Sequence, residues 1–256
     1  MPSPFDPSEL EDAQYCIFTA DDGSGEFDTL DKMLVLTNCE IGDPQARRFE
    51  VDIPGRDNTL DLTEALGGVY FSRRQITLTF ACINYTTTRH IQLASELRNL
   101  LDGKLMRCRI SADPAHFWLG RCQVEVTRPT AEHSEIVVTV DADAHKYSVL
   151  SSYEPWQWDS FSFVEGVIIQ IDDIVLNNET KSETLPVDPA RGKPILWLNS
   201  GASGAVSARV SSDQTWHPLR SGKNVLPEVR LSDKSTTVLY LRGTGNVGIE
   251  YRLGSL

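Results

Sequence analysis

The sequence has no apolar run that approaches the roughly 20 residues a membrane-spanning helix requires. Its first residues include three prolines and no apolar segment of the kind found in secretory signals. Basic residues are also scarce, since 24 Lys and Arg stand against 36 Asp and Glu, for a net charge of −12. Proteins bind nucleic acid mainly through contacts between basic side chains and phosphates, so nucleic-acid binding is not expected here. We expect a protein that is made and folded in a cytoplasm.

Cysteine and histidine are too few and too scattered to indicate a metal site. The five cysteines are odd in number, and none of them forms a Cys-x-x-Cys pair. Free, mostly buried thiols are therefore preferred over a disulfide or metal framework. No histidine lies three or four residues from another histidine or a cysteine, so no ligand pattern is present. We expect neither a metal ion nor a cofactor. The cysteines are Cys16, Cys39, Cys82, Cys108 and Cys122.

No assembled catalytic site can be found in the sequence. Residues 243–248 have the Gly-x-Gly-x-x-Gly spelling of a dinucleotide site, but that site needs a helix directly after the glycines. Apolar residues alternate over 249–253 instead, so a hairpin turn is predicted at the glycines. Glycoside hydrolysis would need a pair of carboxylates such as Asp141 and Asp143. We prefer the interpretation that both are solvated side chains at the end of a strand. The protein is predicted not to be an enzyme.

Short alternating segments separated by turn residues predict a mainly β chain. One segment differs, because Thr87 or Thr88 is placed to cap a helix that ends near Leu101. The apolar face predicted for this helix consists of Ile91, Ala94, Leu97, Leu100 and Leu101. Residues 105–110 and 117–127 are predicted to form a long antiparallel hairpin.

The composition changes near residue 150, which predicts two domains at 1–148 and 149–256. All five cysteines and most of the acidic excess precede this point, with 24 acidic and 14 basic residues before residue 150. Short segments at roughly ten-residue spacing follow it, and these are typical of an antiparallel sandwich or jelly roll.

A distinctive turn lies between two predicted strands. Pro54-Gly55 suits a tight turn, because proline restricts φ and glycine tolerates positive φ. Leu60, Leu62, Ala65 and Leu66 then mark a segment predicted to dock its apolar side chains. Residues 75–80 alternate between apolar and polar side chains, as in a half-buried strand. We therefore expect a rigid turn and loop held between strands.

Two motifs of this region are distinctive. Residues 53–57 read Ile-Pro-Gly-Arg-Asp and 60–63 read Leu-Asp-Leu-Thr. Downstream, Asp113-Pro114 precedes the Phe-Trp-Leu-Gly-Arg of residues 117–121. Over residues 30–145 these motifs resemble the distal tail proteins of bacteriophages with long, non-contractile tails, in which Gly often stands where this sequence has Asn58.

The resemblance implies a structural protein of the tail tip. It implies an N-terminal β-sandwich with one α-helix and a long β-hairpin, followed by a C-terminal galectin-like or jelly-roll β-sandwich. Members of this family form a hexameric ring that joins the tail tube protein to the tail-associated hub protein, and DNA crosses the channel without being held. A receptor-binding protein is a further possible neighbour. The expected location is the virion tail tip, after assembly in the bacterial cytoplasm.

Five charged residues near the first motif have two interpretations. In a monomer such a cluster is usually a solvated loop, whereas in a ring the charges can pair between neighbouring chains. The resemblance favours the second interpretation and implies that the 105–127 hairpin is the element that reaches a neighbour. The candidate interface residues are Arg56, Asp57, Asp61, Arg73 and Arg74.

The alternative function is a carbohydrate-binding module in the C-terminal sandwich. Trp197 and Trp216 would stack on sugar rings of a host cell-surface glycan if their side chains were exposed. Burial of both tryptophans in the sandwich core is the preferred interpretation.

Overall fold

The computed structural model describes residues 13–55, 57–65, 67–82, 86–126, 135–153, 173–199 and 206–256. The chain divides into two units between Ala144 and His145. Both units are built from antiparallel strands, which confirms the prediction of a mainly β sandwich fold. Within the described residues, none of the helical segments has the length and hydrophobicity of a membrane span.

The N-terminal unit contains one large sheet with a single α-helix, α1 (Thr87–Leu101), among its described residues. Its strands are β1 (Cys16–Ala20), β2 (Phe27–Asp28), β3 (Leu34–Ile41), β4 (Ala46–Arg47), β5 (Glu50–Val51), β6 (Leu60–Asp61), β7 (Tyr70–Phe71), β8 (Arg74–Cys82), β9 (Leu105–Ile110), β10 (His116–Val126) and β11 (Glu135–Ala142). Seven of them follow the order β2-β1-β9-β10-β11-β8-β3, with every neighbouring pair antiparallel.

The large sheet curls around one core. The N–H of Leu36 in β3 donates to the carbonyl of Gln14, just before β1, at 2.8 Å. β3, at one end of the strand order, therefore also meets the chain that leads into β1. The alternation predicted over 75–80 is confirmed, because Ile76, Leu78 and Phe80 are buried against the alternating apolar side chains of β11.

Helix α1 ends at Leu101 as predicted, but its cap and its buried face differ from the prediction. The Oγ1 of Thr86, not of Thr87 or Thr88, accepts a hydrogen bond from the Arg89 N–H at 3.2 Å. Ile91 is 58% exposed and Leu100 is also exposed, because both lie to the side of the buried row. That row follows a three- and four-residue spacing. Its members are His90, Leu93, Ala94, Leu97 and Leu101.

The C-terminal unit is a second antiparallel assembly with its own apolar core. Its strands are β12 (Lys146–Ser148), β13 (Ile174–Leu185), β14 (Ile195–Leu198), β15 (Ser207–Val210), β16 (His217–Pro218), β17 (Gly222–Val225), β18 (Thr237–Glu250) and β19 (Gly254–Ser255). Five strands follow the order β16-β15-β18-β14-β17, and β13 also pairs with β18. The short pair β12 and β19 is antiparallel.

The hairpin turn predicted at residues 243–248 is wrong, because these residues continue through the middle of β18. Gly243 pairs with Glu179 and Gly245 with Leu176, so β13 holds the glycine segment in an extended conformation. At Gly248, an added Cβ would lie 2.3 Å from Cε2 of Tyr153. A larger residue at this position would have to displace the exposed ring of Tyr153. The strand also leaves no helix N-terminus at which a pyrophosphate would bind.

Candidate functional site

A two-stranded extension leaves the large sheet between β3 and β8, and we call residues 42–73 the arm. Residues 56 and 66 of the arm lie outside the described chain. β4 pairs with β7 and β5 pairs with β6, both antiparallel. Because β3 also pairs with β8, the arm is the outer part of one long, interrupted hairpin. At its base the Gly42 N–H donates to the Gln75 carbonyl at 2.9 Å.

One face of the arm carries exposed apolar side chains. Val51 and Leu60 are cross-strand partners, and Phe49 lies two residues before Val51, which places all three on the same face. Phe49 is 61% exposed, and Val51 and Leu60 are exposed as well. The prediction that Leu60 and Ala65 dock inward is therefore wrong, while Leu66 lies outside the described residues. A group of exposed apolar side chains on one ribbon is typical of an interaction surface.

Hydrogen bonds within the arm hold its two strands together. The Phe49 N–H donates to Thr63 Oγ1 at 3.0 Å, and the Leu62 N–H donates to the Phe49 carbonyl at 2.8 Å. Asp61 accepts from the Thr63 N–H at 2.8 Å. The hydrogen bonds from Thr63 lower the pKa of the Asp61 carboxyl. Asp61, a predicted interface residue, therefore stabilises the arm itself.

Asp57 and Arg73, two other residues of the predicted interface, have different surroundings. Asp57 is exposed near the tip of the arm, and Arg56 lies outside the described residues. Arg73 binds two carboxylates of its own chain, Asp141 at 2.9 Å and Asp143 at 3.4 Å. This ion pair accounts for the carboxylate pair noted in the sequence.

Arg74 has to be removed from the predicted interface. Its side chain lies inside the N-terminal unit, where the residue is only 8% exposed, and desolvation lowers its pKa. A guanidinium that its own chain covers is not available to a neighbouring chain. Its position as the first residue of β8, with its side chain on the buried face, explains the error.

The long hairpin predicted over residues 105–127 forms as β9 and β10, and its contact with a neighbouring chain stays a prediction. Both strands lie in the interior of the large sheet, where β1 flanks β9 and β11 flanks β10. Cys108, Trp118 and Cys122 are buried in the core. A strand with a partner on each side has no free edge with which to pair to a neighbouring chain, whereas the arm extends from the sheet.

The two C-terminal tryptophans already contact charged side chains of their own unit. Trp197 Nε1 donates to Glu250 Oε2 at 2.7 Å. The guanidinium carbons of Arg209 and Arg242 lie 5.0 and 4.3 Å from the centroid of the Trp216 ring, which is within the range of cation–π contacts. A sugar stacking on Trp216 would compete with these arginines. Glycan contact through either tryptophan stays a prediction.

The thiols are free, as predicted, and four of the five are buried. Burial raises the pKa of Cys122 and of half-buried Cys39. The pKa of Cys108 is raised by its hydrogen bond with Cys16 and by burial. In the part of the chain that the structure describes, no three His, Cys, Asp or Glu side chains are grouped so as to hold a metal ion.

No protein-family model matches this sequence, and no curated protein matches it. The crystal structure of the Dit (gp 19.1) protein of phage SPP1 is similar, with a TM-score of 0.53 at 11% sequence identity. The match covers 94% of this chain and 99% of SPP1 Dit. The chain has the fold of SPP1 Dit. The resemblance to distal tail proteins inferred from the two motifs is therefore confirmed at the level of the fold.

Two structures of the phage p2 baseplate in its activated conformation, with Sr and with Ca, are also similar. Their TM-scores are 0.45 and 0.46, at 11% and 12% identity. Each match covers 95% of this chain and 98% of the baseplate chain. SPP1 Dit itself is described as a paradigm of the hub adsorption apparatus in phages that infect Gram-positive bacteria.

Proposed function

We propose that this protein is a structural component of a phage tail tip, in which six copies form a ring. The ring joins the tail tube protein to the tail-associated hub protein, and DNA crosses its channel. A receptor-binding protein is a further neighbour in this proposal. The observation that carries the proposal is the fold likeness to SPP1 Dit, which extends over nearly the full length of both chains.

The arm supports the proposal because a closed ring needs two different surfaces on each copy. Such an interface is heterologous, so a projecting element on one copy meets a different surface on the next. Phe49, Val51 and Leu60 provide an apolar face on an element that leaves the sheet. Fully burying one large apolar side chain stabilises a contact by about 1.5–3 kcal/mol. Because most of the Phe49 side chain is exposed, its burial at an interface would contribute most of this free energy. The contact would recur at every interface of the ring.

The charge of the chain supports the proposed passage of DNA. A protein with a net charge of −12 lacks the excess of basic side chains that retains phosphates. The acidic excess is concentrated before residue 150, in the part that also carries the arm. We place part of this acidic surface at the channel wall, where it would repel DNA. A ring structure with a neutral or basic bore would contradict that placement.

Light scattering of the purified protein, alone and with a fragment of the hub protein, tests the proposal. The expected species is a hexamer near six times 28.5 kDa, formed alone or on addition of the hub fragment. Phe49→Asp should leave monomers under both conditions, because a charge replaces an apolar side chain of the arm that is 61% exposed. Val225→Asp is the matched control, since Val225 is exposed on the C-terminal unit. A stable dimer under both conditions would contradict the proposal, whereas a hexamer of Phe49→Asp would contradict only the role of the arm.

A further inference from the structure

Two arginines and two aromatic rings lie together on the sheet of the C-terminal unit, and we call Arg209, Trp216, Tyr240 and Arg242 the arginine patch. Arg209 in β15 pairs with Tyr240 in β18, and Arg242 lies two residues after Tyr240. Side chains alternate between the two faces of a strand, so these three residues share one face. Leu241, between Tyr240 and Arg242, is 0% exposed on the opposite face. The arginine patch therefore faces away from the core.

The aromatic rings hold both guanidinium groups of the patch in place. The guanidinium carbon of Arg209 lies 5.0 Å from the centroid of the Trp216 ring and 4.9 Å from that of the Tyr240 ring. The guanidinium carbon of Arg242 lies 4.3 Å from the same Trp216 centroid. These cation–π contacts restrict side chains that would otherwise sample many rotamers. A ligand that binds such preorganised donors loses less affinity to their ordering.

Neither arginine of the patch forms an ion pair within the part of the chain that the structure describes. Arg209 Nη1 donates only to the backbone carbonyl of Asp213, at 3.4 Å, while the Asp213 carboxylate is bonded to His217 Nε2 at 2.8 Å. Carboxylates are not scarce, since the chain has 36 acidic residues against 24 basic ones. Two positive charges beside one ring repel each other. An anion from outside the chain would neutralise both.

Hydroxyl groups flank the exposed Arg242 side chain on both sides. Ser207 pairs with Arg242 from β15, and Thr180 pairs with it from β13. Residues directly opposite each other on neighbouring strands have adjacent side chains on the same face. A guanidinium donates through a planar fork, and hydroxyl groups add further donors. A phosphate group, with several acceptor oxygens and negative charge, matches this set of donors.

The arginine patch lacks the apolar centre that a protein partner would need. Trp216 and Tyr240 are only partly exposed, and the arginines lie over their rings. The residues around Arg242 on this face are polar, namely Thr180, Ser182 and Ser207. The centre of a protein interface is normally apolar and depleted of charge. A small hydroxylated ligand that carries phosphate therefore suits this face better than the carboxylate of a protein partner.

We propose that the arginine patch binds a phosphate group, either free or esterified to a polyol or sugar. Arg242 donates directly to the phosphate oxygens, because its side chain is exposed and has no hydrogen bond to a described residue. Arg209 is half-buried; it adds a second positive charge and positions the Trp216 ring. Trp216 supports a guanidinium here, which differs from the sugar stacking predicted from the sequence. The site lies within one chain and does not depend on the proposed ring.

Fluorine NMR of the full chain labelled with 5-fluorotryptophan tests this proposal. The chain has five tryptophans and should give five signals. The signal that disappears in Trp216→Phe belongs to Trp216. Inorganic phosphate should shift this signal in a saturable manner, whereas sodium chloride of equal ionic strength should not. The other four signals report whether each variant keeps its fold.

Three variants assign the binding to Arg242. Arg242→Ala should weaken phosphate binding about tenfold or more, because a hydrogen bond from a charged donor is lost. Arg242→Lys should bind with intermediate affinity, since lysine keeps the charge but not the planar fork. If Arg242→Ala alters the other four signals, the lysine variant provides the comparison. Arg220→Ala is the matched control, because Arg220 is an exposed arginine of the same unit that bonds to Asn224 through its backbone. It should bind phosphate as the wild type does.

Titration with two phosphate compounds separates the sources of the group. Tighter binding of glycerophosphoglycerol would identify a polyol phosphodiester, and tighter binding of inorganic phosphate would identify the free ion. A shift with sodium acetate as large as that with phosphate would overturn the proposal in favour of a carboxylate on a protein partner. An equal shift with sodium chloride, or unchanged phosphate binding in Arg242→Ala, would also overturn it. Failure of the wild-type chain to form a hexamer would contradict the proposed function but not this site.

Discussion

Asp188 joins a loop to the segment around Gly254. Its replacement should therefore make the C-terminal unit easier to unfold. The residue is 0% exposed. Its Oδ1 accepts from the N–H of Ala190 at 3.1 Å and of Gly254 at 2.9 Å, and its Oδ2 accepts from the N–H of Gly192 at 2.7 Å. A single carboxylate thus satisfies three backbone donors in the interior.

The expected loss in the free energy of unfolding follows from the number of these donors. Leaving one buried donor unsatisfied costs about 1–3 kcal/mol, so Asp188→Ala should lower the free energy of unfolding by about 3–6 kcal/mol once water reaches part of the cavity. Asp188→Asn should fall between wild type and Asp188→Ala. Its amide oxygen can still accept from two N–H groups, but its NH₂ would face the N–H of Gly192.

Urea unfolding and amide hydrogen exchange measure this effect. The unfolding curve should be treated as two transitions, because the chain contains two units. In Asp188→Ala, the amides of Ala190, Gly192 and Gly254 should lose protection. Asp233→Ala is the matched control, because this carboxylate pairs near the surface with Arg191, where ion pairs contribute little. A change below about 1 kcal/mol, with all three amides still protected, would refute the reasoning.

Three further results are expected. Burial raises the pKa of Tyr251 to about 12, so the folded state keeps the phenol proton to higher pH than the unfolded state does. The free energy of unfolding should therefore fall by about 2 kcal/mol between pH 10 and pH 12, but not in Tyr251→Phe. Gly120→Ala places a Cβ 2.6 Å from the carbonyl oxygen of Asp141. It should therefore destabilise the N-terminal unit by about 1–3 kcal/mol in urea, and wild-type stability would contradict this. Thr86→Ala should cost about 1 kcal/mol by thermal unfolding, whereas Thr87→Ala should not, and equal effects would refute the assigned cap.

The arm contains the motif at residues 53–63. From the sequence, the charges near this motif were interpreted as a cluster that pairs between chains. In the structure Asp61 bonds to Thr63, and Arg73 bonds to Asp141 and Asp143. The exposed apolar side chains were missed because apolar residues in an alternating strand normally indicate burial. Exposure here arises because the arm has no sheet beneath it.

Sequence alone determined the features that depend on local spacing. The alternation over residues 75–80 and the spacing within α1 each describe one element, and both elements formed where they were predicted. The odd, unpaired cysteines likewise predicted free thiols.

Only the tertiary structure decided the features that depend on a distant partner. Pairing with β13 keeps residues 243–248 extended although their glycines are typical of a turn. Neighbours on both sides place β9 and β10 inside the sheet. Among the described residues, β4 pairs only with β7 and β5 only with β6, so the arm extends from the sheet. Backbone hydrogen bonds between strands join residues that are far apart in the chain. The local spacing of apolar and polar residues therefore does not predict which strands pair.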